Sequence, residues 1–205
     1  VTLLAVGDIM LARKVERLMS QYGLGYPLSE VKSRLSQAYI TFGNLECAVS
    51  DKGTQLPGKG IWLRAKPEVV SELKDSGFDV LSVANNHSLD YDTEAFLDTL
   101  YWIEQSGIKT IGGGNNIDTA CSPFISTVNG VRVGFLAYTE MADMIWSYDY
   151  PRKLKATDTE PGVAPFKYDS IVEDIRALDN QVDVLVLSLH WGTEYSLSPT
   201  PLQRE

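Results

Sequence analysis

Four apolar runs in this chain each end in polar side chains suited to holding a metal ion or a proton. Leu3, Leu4, Ala5 and Val6 lead into Gly7 and Asp8, and Tyr39, Ile40, Thr41 and Phe42 lead into Gly43, Asn44, Leu45 and Glu46. Residues 80–84 lead into Asn85, Asn86 and His87, and residues 182–189 into His190, Trp191 and Gly192. His87 and His190 are the only two histidines. Short apolar runs bounded by turn residues read as buried strands, and open α/β sheets build their sites at the carboxyl ends of strands. Neighbouring strands would bring these tips to one edge. That donor set suits metal-assisted hydrolysis.

Strand-like and helix-like segments alternate along the chain. Residues 3–6 are followed by an amphipathic stretch at 13–19, a short helix near 30–35 and the run at 39–42. Residues 50–60 hold three glycines, a proline and several charges, the composition of an exposed loop. A strand is expected at 61–65, then a helix from Pro67 to Ser76 closed by Gly77. A buried strand at 80–84 precedes helical spacing over 93–105 and a short strand at 108–111. Asn129 and Gly130 between two apolar runs are a strong hairpin signal, so one antiparallel pair joins an otherwise βα-like order. Residues 141–162 read as a long irregular loop, of a length more often functional than decorative. A helix at 168–178 and a strand at 182–189, expected to be buried on both faces, complete a mixed, largely parallel α/β architecture.

At 205 residues the chain fits one domain spanning residues 1–205. A net charge of −9 and the lack of a basic stretch argue against a nucleic-acid partner. An anionic substrate would need a local positive centre, which bound divalent cations supply. Cys47 and Cys121 are too few for a disulfide framework and read as free buried thiols. No run is long enough for a membrane-spanning helix. Val1 enters a strand at once and residues 198–205 resemble a loop leading into a further helix. A removed leader or anchor and a missing C-terminal part are therefore expected.

Each candidate has a plainer reading. Asp8, taken alone, could cap the following helix. Asn44 and Glu46, two apart in extended chain, point to one side and could face one ion, or be a loop amide and an exposed acid. Asn85, Asn86 and His87, followed by Asp90, could form an Asn-rich turn. Polar groups abutting a buried strand must nevertheless be satisfied locally or open into a site. His190, with Trp191 and Glu194 close by, would alone read as a satisfied core residue. Four strand ends behaving alike favour a site. Residues 112–114, three glycines, lack the pattern of a phosphate loop and read as a tight turn.

Together, Gly7 to Arg13, Phe42 to Glu46, Ser82 to His87 with Asp90, Ile111 to Asn115 and His190 to Tyr195 resemble the CapA (PgsA-type) family of bacterial poly-γ-glutamate capsule synthesis proteins. That family is related to the calcineurin-like metallophosphoesterases. The likeness runs from residue 3 to about residue 195. It implies a four-layer α/β/β/α sandwich with mixed sheets and a metal centre at the strand ends. By position, Asp8, Glu46, Asn86 and His190 resemble metal ligands, and His87 the catalytic histidine that assists the leaving group. Met10 stands where phosphoesterases place a histidine, Glu46 where they place an aspartate, and their final Gly-His-x-His element has no counterpart here.

The resemblance implies divalent ions (Mn, Zn or Fe), an anionic polymer or phosphoester substrate, and membrane-embedded capsule synthesis subunits as partners. It also implies an extracytoplasmic, membrane-anchored location at the cell surface. A water bridging two ions could attack a phosphoester or a γ-glutamyl amide. The alternatives are a non-catalytic surface module that binds polymer or membrane partners through residues 141–162, and an intracellular nucleotide phosphodiesterase.

Overall fold

The computed structural model describes residues 1–201, 203 and 204. In chain order the elements are β1 (Leu3–Ile9), α1 (Arg13–Tyr22), α2 (Lys32–Leu35), β2 (Ile40–Leu45), β3 (Ala48–Val49), β4 (Arg64–Ala65), α3 (Val69–Asp75), β5 (Val80–Ser82), α4 (Asp92–Gln105), β6 (Lys109–Ile111), β7 (Gly113–Gly114), α5 (Ile117–Cys121), β8 (Phe124–Val128), β9 (Val131–Thr139), β10 (Gly162–Val163), α6 (Tyr168–Asp179) and β11 (Val184–His190).

Two sheets carry the molecule. The first has the order β1-β2-β5-β6, every pair parallel. All six residues of β2 are buried, which is why its apolar part reads as a continuous run rather than an alternation. The second has the order β11-β9-β8, with β9 parallel to β11 and antiparallel to β8. Val128 pairs with Val131 across the two-residue turn. Asn129 and Gly130 both have positive φ there, 51° and 80°, as the tight hairpin of the sequence reading requires.

Ile40, Phe42, Val80 and Ile111 of the first sheet pack against Val133, Phe135 and Ala137 of the second, and the Phe42 and Phe135 rings stack with centroids 6.1 Å apart. Helices α3 and α4 cover the outer face of the first sheet with Val69, Val70, Leu73, Phe96 and Ile103. Ala120 of α5 and Ile171 and Leu178 of α6 lie on Leu136 and Tyr138 of the second. The result is the expected α/β/β/α sandwich. Gly112 lets the sheets approach closely: it has φ of +76°, and a Cβ there would lie 2.9 Å from Ala137 Cβ.

Three expectations need correction. Residues 50–60 are not simply exposed, since Ser50, Leu56 and Lys59 are buried and the Leu56 N–H donates to the Asp90 carbonyl at 2.9 Å. Hydrogen bonds to the interior pin a segment whose composition suggests solvent. Of residues 61–65 only Arg64 and Ala65 form a strand, paired with β3. Strand β11 is half-buried and begins at exposed Val184, because it lies at the edge of its sheet. Residues 141–162 do form a largely irregular excursion, yet Ala142, Leu154 and Ala156 on it are buried.

Candidate metal centre

The ends of β1, β2, β5 and β11 do meet. Asp8 sits within β1, where a register shift between Ala5 and Asp8 places it opposite Asn44 of β2. It does not cap α1, whose N-cap is Ala12 with no side-chain cap bond. Instead Asn44 Nδ2 donates to Asp8 Oδ1 at 2.8 Å, while Asn44 Oδ1 accepts from Asn85 Nδ2 at 3.0 Å. Asn85 also donates to the Leu45 carbonyl at 2.8 Å, and its Oδ1 accepts from the His87 N–H at 2.9 Å and from Ser88 Oγ at 3.1 Å. Both amides are thereby engaged with neighbouring side chains. Asn44 fixes Asp8, and Asn85 fixes the turn that presents Asn86 and His87.

Ligand atoms of Asp8, Glu46 and His190 all lie within 4.8 Å of one another. Burial, with a hydrogen bond that the protonated Glu46 donates to Asp8 and the charge of that carboxylate, pushes the Glu46 carboxyl up to about 8. Two carboxyl groups in this proximity repel one another when both are ionised, which favours a shared proton or a bound cation. The site therefore fits a cation on chemical grounds. Burial is also the main reason that the His190 imidazole titrates below its usual range, which favours the neutral ring that ligation needs. Its Nε2 lies 2.9 Å from Asn86 Oδ1, so Asn86 joins the group from the opposite sheet. Strand β11 is held at this point by Thr139 Oγ1, which donates to the His190 carbonyl at 3.0 Å.

His87 borders the group. Its Nδ1 is 2.7 Å from Asp90 Oδ2, and its Nε2 is 3.9 Å from Glu46 Oε1. A carboxylate only accepts, so Nδ1 carries the hydrogen and Nε2 is left to face the site. Asp90 is fully buried, and the Leu63 N–H also donates to its Oδ2 at 2.5 Å. Trp191 packs against Phe166 with ring centroids 5.3 Å apart. Glu194 is exposed, although its charge contributes to the raised Glu46 carboxyl. Met10 Sδ accepts from the Ala12 N–H at 3.2 Å.

One residue of this neighbourhood escapes sequence reasoning. Lys59 is buried, and its ammonium is bonded to Asp90 Oδ1 and to the Asn86 carbonyl. A lone lysine between two glycines in a polar loop gives no signal of burial. Cys47 is a free buried thiol, pushed up to about 12 by burial, and Cys121 is free and half-buried.

Residues 2–205 match the family described as bacterial capsule synthesis protein PGA_cap. The chain belongs to this family. It is 32% identical over 209 residues to the capsule biosynthesis protein CapA of Bacillus anthracis, covering 98% of this chain and 49% of that protein. It is 30% identical over 202 residues to the PGA biosynthesis protein CapA of Bacillus subtilis (strain 168), covering 98% of this chain and 51% of that one. The chain thus spans about half the length of the curated relatives it matches. Among solved structures, a Staphylococcus aureus protein described as a 5′-nucleotidase superposes with a TM-score of 0.56 at 16% identity, covering 98% of this chain and 39% of that one. That likeness shows the fold, which is of the calcineurin-like metallophosphoesterase type. As a PGA_cap protein the chain carries the strand-end cluster on this scaffold.

Proposed function

We propose that this chain is the metal-binding, hydrolase-type domain of a protein that works in making or exporting a poly-γ-glutamate capsule. The observation that supports it is the convergence of Asp8, Glu46 and His190 within 4.8 Å, beside a His87 oriented by Asp90. Asp8, Glu46, Asn86 and His190 would hold a divalent ion, with Mn, Zn or Fe all compatible with a mixed carboxylate, amide and imidazole set. Such an ion supplies Lewis-acid polarisation of a phosphoryl or carbonyl oxygen and lowers the pKa of a water. The chain's own residues do the rest. Asn44 fixes the Asp8 carboxylate, Asn85 fixes the turn, and His87 presents a bare Nε2 that takes up a proton from the attacking water and passes it to the leaving atom. The substrate is a phosphoester or a γ-glutamyl amide of an anionic polymer. Membrane-embedded capsule synthesis subunits are the proposed partners and the extracytoplasmic surface the proposed location.

The test is metal content and turnover in protein extended to the length of its relatives. Stoichiometric Mn, Zn or Fe, lost in Glu46→Ala and His190→Ala together with cleavage of bis(p-nitrophenyl) phosphate or of poly-γ-glutamate, is the expected result. Full capsule function in both variants would remove the reading. A second reading, a non-catalytic module on the same scaffold, is favoured by Met10, whose thioether leaves the site one donor short of the phosphoesterase set. Under it the protein carries no metal, and only changes in residues 141–162 impair capsule formation.

A further inference from the structure

A buried lysine stands directly behind the histidine that faces the cluster. The Lys59 side chain is 2% exposed and that of Asp90 is completely buried. Its ammonium contacts Asp90 Oδ1 and the Asn86 carbonyl, lies 3.5 Å from His87 Nδ1, and sits 5.0 Å from the centroid of the Trp146 ring. Asp90 is thus held at both oxygens, Oδ1 by Lys59 and Oδ2 by the Leu63 N–H and His87 Nδ1. A carboxylate gripped at both ends has one orientation, and so does the imidazole that donates to it.

We infer that Lys59 is a positioning residue. It locks the Asp90 carboxylate, which in turn fixes the ring orientation of His87 and the placement of its hydrogen on Nδ1, leaving Nε2 directed at Glu46. The clamp is assembled from two loops. Lys59 belongs to residues 50–60 and Trp146 to residues 141–162, and the loops touch at Gly58, where a Cβ would collide with the Trp146 carbonyl. Burying a lysine is unfavourable and is tolerated only with its charge paired and its donors satisfied. A merely structural role would need an ion pair somewhere. It would not need this pair to end on the one imidazole that borders the carboxylate cluster.

The catalytic meaning of the clamp rests on the hydrolase reading, whereas the clamp itself is testable without turnover. The chain has only two histidines, so imidazole 15N spectra of untagged, metal-free protein hold two ring systems, assigned with a His190→Gln variant. In the wild type, His87 is expected to show a slowly exchanging hydrogen on Nδ1, the nitrogen held by Asp90. Rapid exchange or the opposite tautomer would overturn the inference. In Lys59→Met that signal is expected to vanish and the 15N shifts to average. A folded Lys59→Met protein with an unchanged His87 pattern would overturn the inference as well. If the methionine variant does not fold, Lys59→Gln takes its place, with the same outcomes.

Where the extended protein cleaves bis(p-nitrophenyl) phosphate, the variant is expected to lose about 10- to 100-fold in kcat with little change in KM, as mispositioning of a reacting group does. A wild type with the protected Nδ1 hydrogen and no turnover supports the clamp and overturns the hydrolase reading instead.

Discussion

Asn86 Oδ1 and His190 Nε2 lie 2.9 Å apart, although the residues are 104 positions distant in the chain and stand at the ends of different sheets. An amide oxygen only accepts, so Nε2 carries the hydrogen in the metal-free protein. Ligation would trade this bond for a shared cation, and the two sheets would then be joined through the ion. Metal should therefore stabilise the fold. At 100 times the dissociation constant the expected gain is about 2.7 kcal/mol, read as a rise in the thermal midpoint on adding Mn or Zn and its reversal by chelator. Glu46→Ala and His190→Ala should abolish most of that rise. An equal rise in both variants would mean that the ion binds elsewhere.

Asn85 is the hub of the amide relay, wholly buried and bonded to Asn44, Leu45, His87 and Ser88. Truncation to alanine leaves several buried donors and acceptors unmatched, each costing about 1–3 kcal/mol when it finds no water. Asn85→Ala is expected to lose about 2–3 kcal/mol in urea unfolding. It should also weaken metal binding by about 10- to 100-fold, as loss of groups that orient ligands does. Calorimetric titration with Mn measures the second effect, and an unchanged affinity would remove Asn85 from the supporting shell.

The abrupt polar endings of the apolar runs made the site legible because side chains at strand ends are placed by the sheet, which the hydrophobic pattern encodes. Asp8, Glu46 and His190 follow from that logic. Asn44 followed only halfway: its place in the cluster was visible, but its commitment to Asp8 and Asn85 depends on a register shift in β1 that no pattern announces. Lys59 was illegible. Its burial depends on Trp146, 87 positions away in an irregular loop, and local composition carries no trace of such a contact. The half-buried state of β11 was hidden for the converse reason, since a continuous apolar run looks the same at the edge of a sheet as at its centre.

Gly112 stands where the two sheets approach closely. Its positive φ disfavours any side chain, and an added methyl would crowd Ala84, just beyond β5, and Ala137 of β9 in the other sheet. Strain and overpacking each cost about 1–3 kcal/mol. Gly112→Ala is expected to destabilise by at least about 2 kcal/mol. It should also loosen the clustering of Asp8 and Glu46 on one sheet with His190 on the other, lowering Mn affinity in the folded variant. Urea unfolding and calorimetry on the same preparation separate the effects, and a neutral outcome in both would show that the sheets have room to spare at this point.

Strand β11 is tied to β9 at its start by Asp183, which accepts from the Arg132 backbone N–H at 2.8 Å and from the Arg132 guanidinium at 2.9 and 3.2 Å. Those hydrogen bonds hold the Asp183 carboxyl down at about 2. The folded value lies below the unfolded one, so the stabilisation is present above about pH 4 and is lost as the pH falls towards 2. Both side chains are exposed, so the effect is screened and should shrink in high salt. Asp183→Asn is expected to flatten the fall in stability between pH 4 and 2 at low ionic strength while leaving stability at pH 7 only slightly lower. Urea midpoints at pH 7, 4 and 2.5, with and without added salt, test this. An acid limb as steep as that of the wild type would show that His190 is presented by the sheet ladder alone, without help from the ion pair at the start of its strand.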